Sequence, residues 1–369
     1  MDRTVGRRGF LATVGTASLA GCLGGAGAGT DEAGGGDASP ATTEGASPPT
    51  AERSLPLPFP PADIRDMAVS GGPGKDGIPS IDDPSFEGPD AAEQHLEPGD
   101  PVFGVAGETD VKAYPQSILV WHEVCNDVVD GRPVSVTYCP LTGTAMGFLR
   151  GGTTFGVSGR LFNNNLIMYD RATETWWPQV LATAIPGPWN ESPEARSLRE
   201  FRVVWTTWER WRERYPETVV LSRDTGHARN YDSDPYGSYN PRRGYYGLGS
   251  EPLFRSYSDD DRFDAKAVVV GSRTPGGSIA FLKESLRSVG LLDGELGGVP
   301  HLAVYDPTLD TGYVYRNPEE REFEHRGDEV VGADGSVHGP AELPLSSVLA
   351  FDAMWFAWNG FYPGSSAYD

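Results

Sequence analysis

The feature that most constrains the fold of this chain is a match of the sequence to itself. Residues 102–149 align without gaps to residues 269–316. The identical positions include turn-forming residues, namely Gly104 with Gly271, Gly131 with Gly298, Pro133 with Pro300 and Pro140 with Pro307. Each segment has the pattern strand, helix, Gly-x-Pro turn, strand, hairpin. The sequence therefore predicts two lobes related by internal duplication.

Apolar patterning predicts more strand than helix. Val134, Val136 and Tyr138 alternate as in a half-buried strand, and further hairpins follow. The apolar spacing over residues 117–128 predicts a helix with His122 and Cys125 on one face. We therefore expect a strand-rich α+β fold.

The first residues predict export and lipid attachment. Arg7 and Arg8, followed by a short apolar run, form a twin-arginine export signal. Leu19-Ala20-Gly21-Cys22 then has the pattern of a lipobox, in which Cys22 receives the lipid. The apolar run is too short to span a bilayer, so the expected anchor is this lipid, at the outer face of the cytoplasmic membrane. The expected divisions are a signal peptide over 1–21, a disordered Gly-, Ala-, Ser-, Thr- and Pro-rich tether over 22–61, and a globular domain over 62–369.

The charge of the chain limits its partners. The formal net charge is -22, with 52 acidic and 30 basic residues, and only four of the basic residues are lysines. Such a surface repels itself in dilute buffer, but the Debye length falls to about 3 Å at 1 M salt. The composition therefore indicates a halophile. It also lacks the basic stripe that nucleic-acid binding needs.

Cys139 lies in the sharpest short motif, Thr137-Tyr138-Cys139-Pro140-Leu141, where a strand ends and the chain must turn. Functional side chains are frequent in such connections. In the internal match, Asp306 occupies the position equivalent to Cys139, while the flanking Tyr and Pro are retained. The turn itself therefore does not require a cysteine, and Cys139 is a candidate site residue.

Four interpretations of Cys139 stay open from the sequence. In a metal site, Cys125, His122 or Met146 would complete a soft ligand set for copper or zinc. In a cysteine-dependent enzyme, a base such as His122 would favour the thiolate. In a thiol redox protein, Cys125 and Cys139 would cycle. In a structural role, they would form a disulfide, closing a loop whose chain-entropy contribution is about 3 kcal/mol, or stay buried as small apolar groups.

A second group of candidates follows between residues 155 and 179. Arg160, Asp170 and Arg171 bring fork-shaped donors and a carboxylate close to Trp177 and Gln179 in the sequence. Such a set could form a pocket for a polar ligand. Asp170 and Arg171 could equally form an ion pair at a hairpin. The run of three asparagines over 163–165 fits a turn that accepts left-handed backbone.

Several motifs in order resemble a known family. The resemblance is carried by Tyr138-Cys139-Pro140-Leu141, Phe155-Gly156-Val157-Ser158-Gly159, Met168-Tyr169-Asp170-Arg171 and Trp355-Phe356-Ala357-Trp358. These are similar to the domain-of-unknown-function family numbered 3179, which occurs in haloarchaeal and bacterial exported proteins. The resemblance implies membership for most of the chain after the tether and brings no reaction, cofactor or catalytic residue. Some relatives have a second cysteine where Thr142 stands here, and its absence weakens a two-thiolate site in this loop.

Together these observations predict a lipid-anchored cell-surface protein with a site near Cys139 for a soft metal or a small polar ligand. A cysteine-dependent enzyme of unknown substrate and a structural envelope protein are the alternatives. The sequence does not decide whether the protein is an enzyme. The expected partners are the membrane, through the lipid on Cys22, and the small ligand or metal.

Overall fold

The computed structural model describes residues 47–369. Arg7, Arg8 and Cys22, on which the export and lipidation predictions rest, lie outside the described residues. No helix in the described range is long and apolar enough to cross a membrane.

The described chain begins inside the predicted tether and already contacts the domain there. Thr50 forms a β-bridge with Leu198, and the Ala51 N–H donates a hydrogen bond to the Ser197 carbonyl over 2.8 Å. The packed chain therefore starts before the boundary predicted at residue 61. Composition placed that boundary, whereas paired backbone groups decide where a chain is ordered.

Strands dominate the described residues, which confirms the strand-rich α+β fold class. The opening elements are α1 (Pro61–Met67), β1 (Val69–Ser70), β2 (Phe86–Glu87) and α2 (Pro89–Ala92). We call residues 101–221 the first half. It contains β3 (Pro101–Ala106), β4 (Val111–Pro115), α3 (Gln116–His122), β5 (Val124–Val129), β6 (Arg132–Cys139), β7 (Thr144–Leu149), β8 (Phe155–Phe162), β9 (Asn165–Asp170), β10 (Trp176–Pro178), β11 (Glu200–Phe201), β12 (Val204–Thr207), α4 (Trp208–Arg214) and β13 (Val219–Leu221).

The connecting loop, residues 222–267, contains the small hairpin β14 (Gly237–Tyr239) and β15 (Arg242–Gly244). We call residues 268–368 the second half. It contains β16 (Val268–Thr274), β17 (Gly277–Leu282), α5 (Lys283–Val289), β18 (Leu291–Leu296), β19 (Val299–Asp306), β20 (Thr311–Arg316), β21 (Phe323–Arg326), β22 (Glu329–Gly332), β23 (Val337–His338), β24 (Ser346–Val348), β25 (Ala350–Met354), α6 (Trp355–Phe361) and β26 (Ser366–Tyr368).

The two halves have the same strand orders. In the first half these are β11-β7-β6-β5 and β12-β3-β4-β13, and in the second half β24-β20-β19-β18 and β25-β16-β17-β26; β2, from before the first half, adds a fifth strand beside β13. Four pairs of elements have identical lengths and keep the spacing of the internal sequence match, namely α3 and α5, β5 and β18, β6 and β19, and β7 and β20. The last elements of each half also correspond: β11, β12, α4 and β13 are equivalent to β24, β25, α6 and β26. Equivalent residues in these elements are separated by fewer residues than in the internal sequence match, because the first half carries the longer insertion, β8 to β10. Common ancestry of the halves stays a prediction.

A glycine and a tryptophan pack in the same way in both halves. A Cβ on Gly104 would lie 2.1 Å from the Trp211 ring, and a Cβ on Gly271 would lie 2.1 Å from the Trp358 ring. Both glycines are therefore required for close packing. Each indole N–H then donates a hydrogen bond over 3.0 Å to a hydroxyl seven residues later in the chain.

The helix predicted over 117–128 is shorter than expected. α3 ends at His122, and Cys125 lies in β5, so the prediction that His122 and Cys125 share a helix face is wrong. Glu123 has the left-handed backbone conformation, with φ 59°, that commonly ends a helix. The β-branched Val124, Val128 and Val129 then favour a strand, which pairs with β6 along its whole length.

Candidate functional site

Cys139 lies at the end of β6 and is fully buried. Its Sγ lies 3.6 Å from the carbonyl oxygen of Asn164, in the turn between β8 and β9. Asn163 and Asn164 both have positive φ, which confirms the left-handed turn expected from the asparagine run. Cys139 is therefore closed over by the inserted strands.

The two cysteines are free thiols on opposite faces of one sheet. Cys125 pairs directly with Val136 across β5 and β6, so these two residues share a face. Cys139 lies three residues beyond Val136, and an odd separation along a strand reverses the face. The two thiols accordingly belong to different hydrophobic clusters. This arrangement does not support a disulfide or a metal site that uses both cysteines.

His122 has no ring nitrogen left for a metal or a thiol. Its Nδ1 lies 2.8 Å from the Pro79 carbonyl, and its Nε2 lies 2.7 Å from the Tyr231 hydroxyl. Burial lowers the pKa of His122 to about 4. Met146 does share a face and a cluster with Cys139. Across residues 47–369, however, the structure contains no group of three His, Cys, Asp or Glu residues that could hold a metal ion.

The electrostatic environment of both thiols disfavours the thiolate. Burial raises the pKa of Cys139 to about 11, and the neighbouring Glu123 carboxyl contributes in the same direction. Burial also raises the pKa of Cys125 well above its ordinary value. Reactive cysteines have lowered pKa values and some exposure to solvent, and neither thiol has these properties.

Glu123 is a residue that sequence reasoning missed. It is only 6% exposed, and burial raises the pKa of its carboxyl to about 8. The residue equivalent to it in the second half is Gly290, which also has a positive φ, of 83°. A non-glycine residue with this backbone costs about 1 kcal/mol or more. The internal match could have identified it, because it pairs a glutamate with a glycine.

Arg160, Asp170 and Arg171 do not converge on a pocket. Asp170 is buried and accepts hydrogen bonds from Trp177 Nε1 over 3.0 Å and from the Thr173 N–H over 2.7 Å. Arg171 turns to the other side and binds Asp82 over 3.0 Å and Asp76 over 3.2 Å. Asp170 and Arg171 therefore do not pair with each other, and the exposed Arg160 is remote from both along β8.

Gln179 and Asn165 form part of a buried hydrogen-bond network. Gln179 Oε1 accepts from Thr144 Oγ1 over 2.7 Å and from Asn165 Nδ2 over 2.8 Å, and Gln179 Nε2 donates to Thr137 Oγ1 over 2.9 Å. All four side chains are satisfied within the protein. They hold the inserted strands onto the sheet of the first half.

Between the two halves, the described residues line an open cavity of about 690 Å³. It lies beside the predicted motif, because Gly143 in the turn after Cys139 lines it. Four equivalent pairs of residues line the cavity, one member from each half: Pro101 and Val268, Gly143 and Asp310, Trp205 and Asp352, and Thr207 and Met354. Its size lies within the ordinary range for small-molecule sites.

The connecting loop supplies a further wall of this cavity. Tyr239 and Phe263 from the loop add aromatic surface, and the Tyr239 and Trp205 rings meet edge to face with centroids 5.1 Å apart. Arg242 and Asp264 from the same loop line the cavity, and within the described residues neither has an ion-pair partner. The cavity thus combines apolar walls with a few polar groups, as ligand pockets do.

A buried ion pair lies at the opposite wall. Lys283 Nζ donates a hydrogen bond to Asp352 Oδ2 over 2.5 Å, and both side chains are less than a tenth exposed. Next to it, Arg287 binds Asp310 through Nε and Nη2 over 2.9 to 3.0 Å and binds Glu284 through Nη1 over 2.9 Å. The second half therefore contributes most of the charge in this cavity.

Residues 75–365 match the model of the family described as protein of unknown function (DUF3179), and the chain belongs to that family. This confirms the resemblance seen in the sequence motifs. No curated protein and no solved structure matches the chain.

Proposed function

We propose that this protein is a lipid-anchored protein of the outer face of the cytoplasmic membrane, and that it binds a small polar ligand in the cavity between its two halves. We assign the ligand to the cavity and not to the neighbouring Cys139 thiol, because the thiol is buried and the cavity is open to solvent. The twin-arginine pair at Arg7 and Arg8 and the lipobox at Cys22 support the location.

The observation that carries the ligand proposal is that the chain itself covers one of two equivalent surfaces and leaves the other open. In the first half, Gln116 at the start of α3 donates a hydrogen bond to Asp234 of the connecting loop over 2.7 Å. Trp121 donates to the Ser233 carbonyl of the same loop over 3.0 Å. In the second half, the equivalent start of α5 at Lys283 faces the cavity. The surface at the start of α5 therefore has the same backbone as its equivalent at α3, but the chain does not cover it. A polar, concave surface of this kind is suited to a ligand.

The soft-metal and cysteine-enzyme hypotheses have less support. A copper or zinc site would have to be built on Cys139 and Met146 without His122 or Cys125, whose contacts lie elsewhere. A cysteine enzyme would need an exposed thiolate, whereas burial keeps Cys139 protonated at neutral pH.

Filling the cavity tests the ligand proposal. Ala267 lines the cavity, so Ala267→Trp would occupy part of it. Val337, which is 55% exposed on β23 and does not line the cavity, provides Val337→Trp as the matched control. Thermal denaturation in concentrated NaCl with a panel of sugars, amines and carboxylates should identify a compound that stabilises the wild type and Val337→Trp but not Ala267→Trp. The ligand proposal fails if no compound does so.

Lipid anchoring is tested separately. Cys22→Ser should move the exported protein from the membrane fraction to the soluble extracytoplasmic fraction, and replacing Arg7 and Arg8 by lysines should retain it in the cytoplasm. Ser18→Ala, a conservative change in the same signal, serves as the control. Membrane association of Cys22→Ser equal to that of the wild type would contradict the lipid anchor.

A further inference from the structure

Of the two halves, only the second lines the cavity with charged side chains. Five cavity-lining residues of the second half are charged, namely Lys283, Glu284, Arg287, Asp310 and Asp352. At the equivalent positions the first half has Gln116, Ser117, Val120, Gly143 and Trp205. The two halves share one backbone design, so the fold does not require charge at these positions. The charges are therefore specific to the cavity.

Two cations, Lys283 and Arg287, meet three carboxylates, so the wall carries one net negative charge. Lys283 is paired with Asp352 and Arg287 with Asp310, and the third carboxylate, Glu284, also binds Arg287 but is 81% exposed to solvent. A ligand with a net charge would leave an uncompensated charge in a partly buried site, which is unfavourable. Because the Lys283–Asp352 and Arg287–Asp310 pairs each cancel and the carboxylate of Glu284 is solvated, the wall favours a ligand without net charge.

The same wall retains donors and acceptors that have no partner in the described residues. A lysine ammonium has three N–H donors, and Lys283 gives one to Asp352. On the loop wall, the one hydrogen bond that the Arg242 side chain makes within residues 47–369 goes to the Lys266 carbonyl over 3.3 Å, and Asp264 offers a carboxylate. Hydroxyl groups both donate and accept, so a ligand rich in hydroxyls matches a wall of mixed donors and acceptors.

We propose that the ligand is a neutral polyhydroxylated molecule of sugar size. This inference rests on the proposed function of the cavity. Its hydroxyls bond to the Lys283–Asp352 pair and to Arg242, while its C–H surface packs on the aromatic wall of Trp205, Tyr239 and Phe263. The Lys283–Asp352 pair determines specificity by presenting a donor and an acceptor side by side.

The proposal is tested with probes that share one skeleton and differ in charge. Glucose, glucosamine and glucuronate share the pyranose ring and carry no charge, a positive charge and a negative charge, and maltose extends the neutral member. Calorimetric titration at constant high NaCl should give binding of glucose or maltose about tenfold tighter than of either charged analogue. Tighter binding of glucosamine or glucuronate that Ala267→Trp abolishes would overturn the ligand class and leave the cavity function standing. Failure of all four probes to bind would also overturn the ligand class, whereas the cavity function is decided separately by the wider panel of compounds.

A paired substitution tests the residues. Lys283→Met with Asp352→Leu removes both charges together, so no unpaired charge is left in the core and the protein should fold. Loss of these hydrogen-bonding groups should weaken sugar binding about tenfold or more, with an unfolding temperature close to that of the wild type. Glu97→Gln, at an exposed position outside the cavity, should leave binding unchanged. Unaltered sugar affinity in the paired variant would refute the role of Lys283 and Asp352.

Discussion

The buried carboxyl of Glu123 makes a quantitative prediction about how stability depends on pH. Burial raises its pKa from 4.5 to about 8 in the folded protein. In the unfolded chain the carboxyl loses its proton near the ordinary value. Between about pH 4.5 and pH 8 the unfolded state therefore binds fewer protons than the folded state, and the free energy of unfolding falls as the pH rises. Below that window the contribution of Glu123 to stability is fully present, and above it the contribution has been lost.

The size of the effect follows from the same values. At about 1.36 kcal/mol for each pH unit, the window corresponds to a loss of at most about 5 kcal/mol. Glu123→Gln places a neutral group of similar shape in the same site and should remove this dependence. The difference in unfolding free energy between Glu123→Gln and the wild type should therefore be small near pH 4.5. It should grow in favour of the variant up to about pH 8.

The assay is denaturant unfolding at a series of pH values in constant high salt, followed by tryptophan fluorescence. Glu97→Gln is the matched control, because Glu97 is exposed and its replacement should shift stability by the same small amount at every pH. The reasoning would be refuted if the difference between Glu123→Gln and the wild type did not change with pH.

Three further predictions concern packing and the thiols. Gly104→Ala and Gly271→Ala should each lower the free energy of unfolding by about 1–3 kcal/mol, because the added Cβ would overlap a tryptophan ring. Gly88→Ala is the control, since its Cβ meets open space and should not lower stability. Equal stability of all three variants would contradict the packing. In the native protein a thiol-reactive disulfide reagent should label neither Cys125 nor Cys139, and both should react after unfolding; rapid labelling of native Cys139 would revive the enzyme hypothesis. Asp170→Ala should lower the free energy of unfolding by about 1–3 kcal/mol, since Trp177 Nε1 and the Thr173 N–H lose their acceptor. Arg160→Ala is the control at an exposed position and should change the free energy of unfolding by less than about 0.5 kcal/mol.

The candidate site was harder to predict than the fold. Cys139 stood out in the sequence because its equivalent is Asp306, and the structure places it beside the cavity rather than inside it. Asp170 and Arg171 are adjacent in sequence and point in different directions, because neighbouring residues at a strand end lie on opposite faces. Glu123 was missed although the internal match pairs it with Gly290, and a glycine at that position indicates a left-handed backbone at the end of the helix.

The sequence by itself determined the family, the α+β class and the repeated pattern of elements. These depend on local periodicity, on turn residues and on motif order, all of which are present in the chain before it folds. The match of residues 102–149 to residues 269–316 predicted the equivalence of the elements from β3 to β7 with those from β16 to β20.

Only the tertiary structure decided which residues meet. It placed Cys125 and Cys139 on opposite faces of a sheet and gave His122 two partners distant in sequence. It also showed that the last strands and helix of the two halves are equivalent, although they do not keep the spacing of the internal sequence match. It also formed the cavity, whose walls come from residues 101 to 354. The physical reason is that side-chain periodicity fixes the face of each element, whereas long-range packing decides what covers that face.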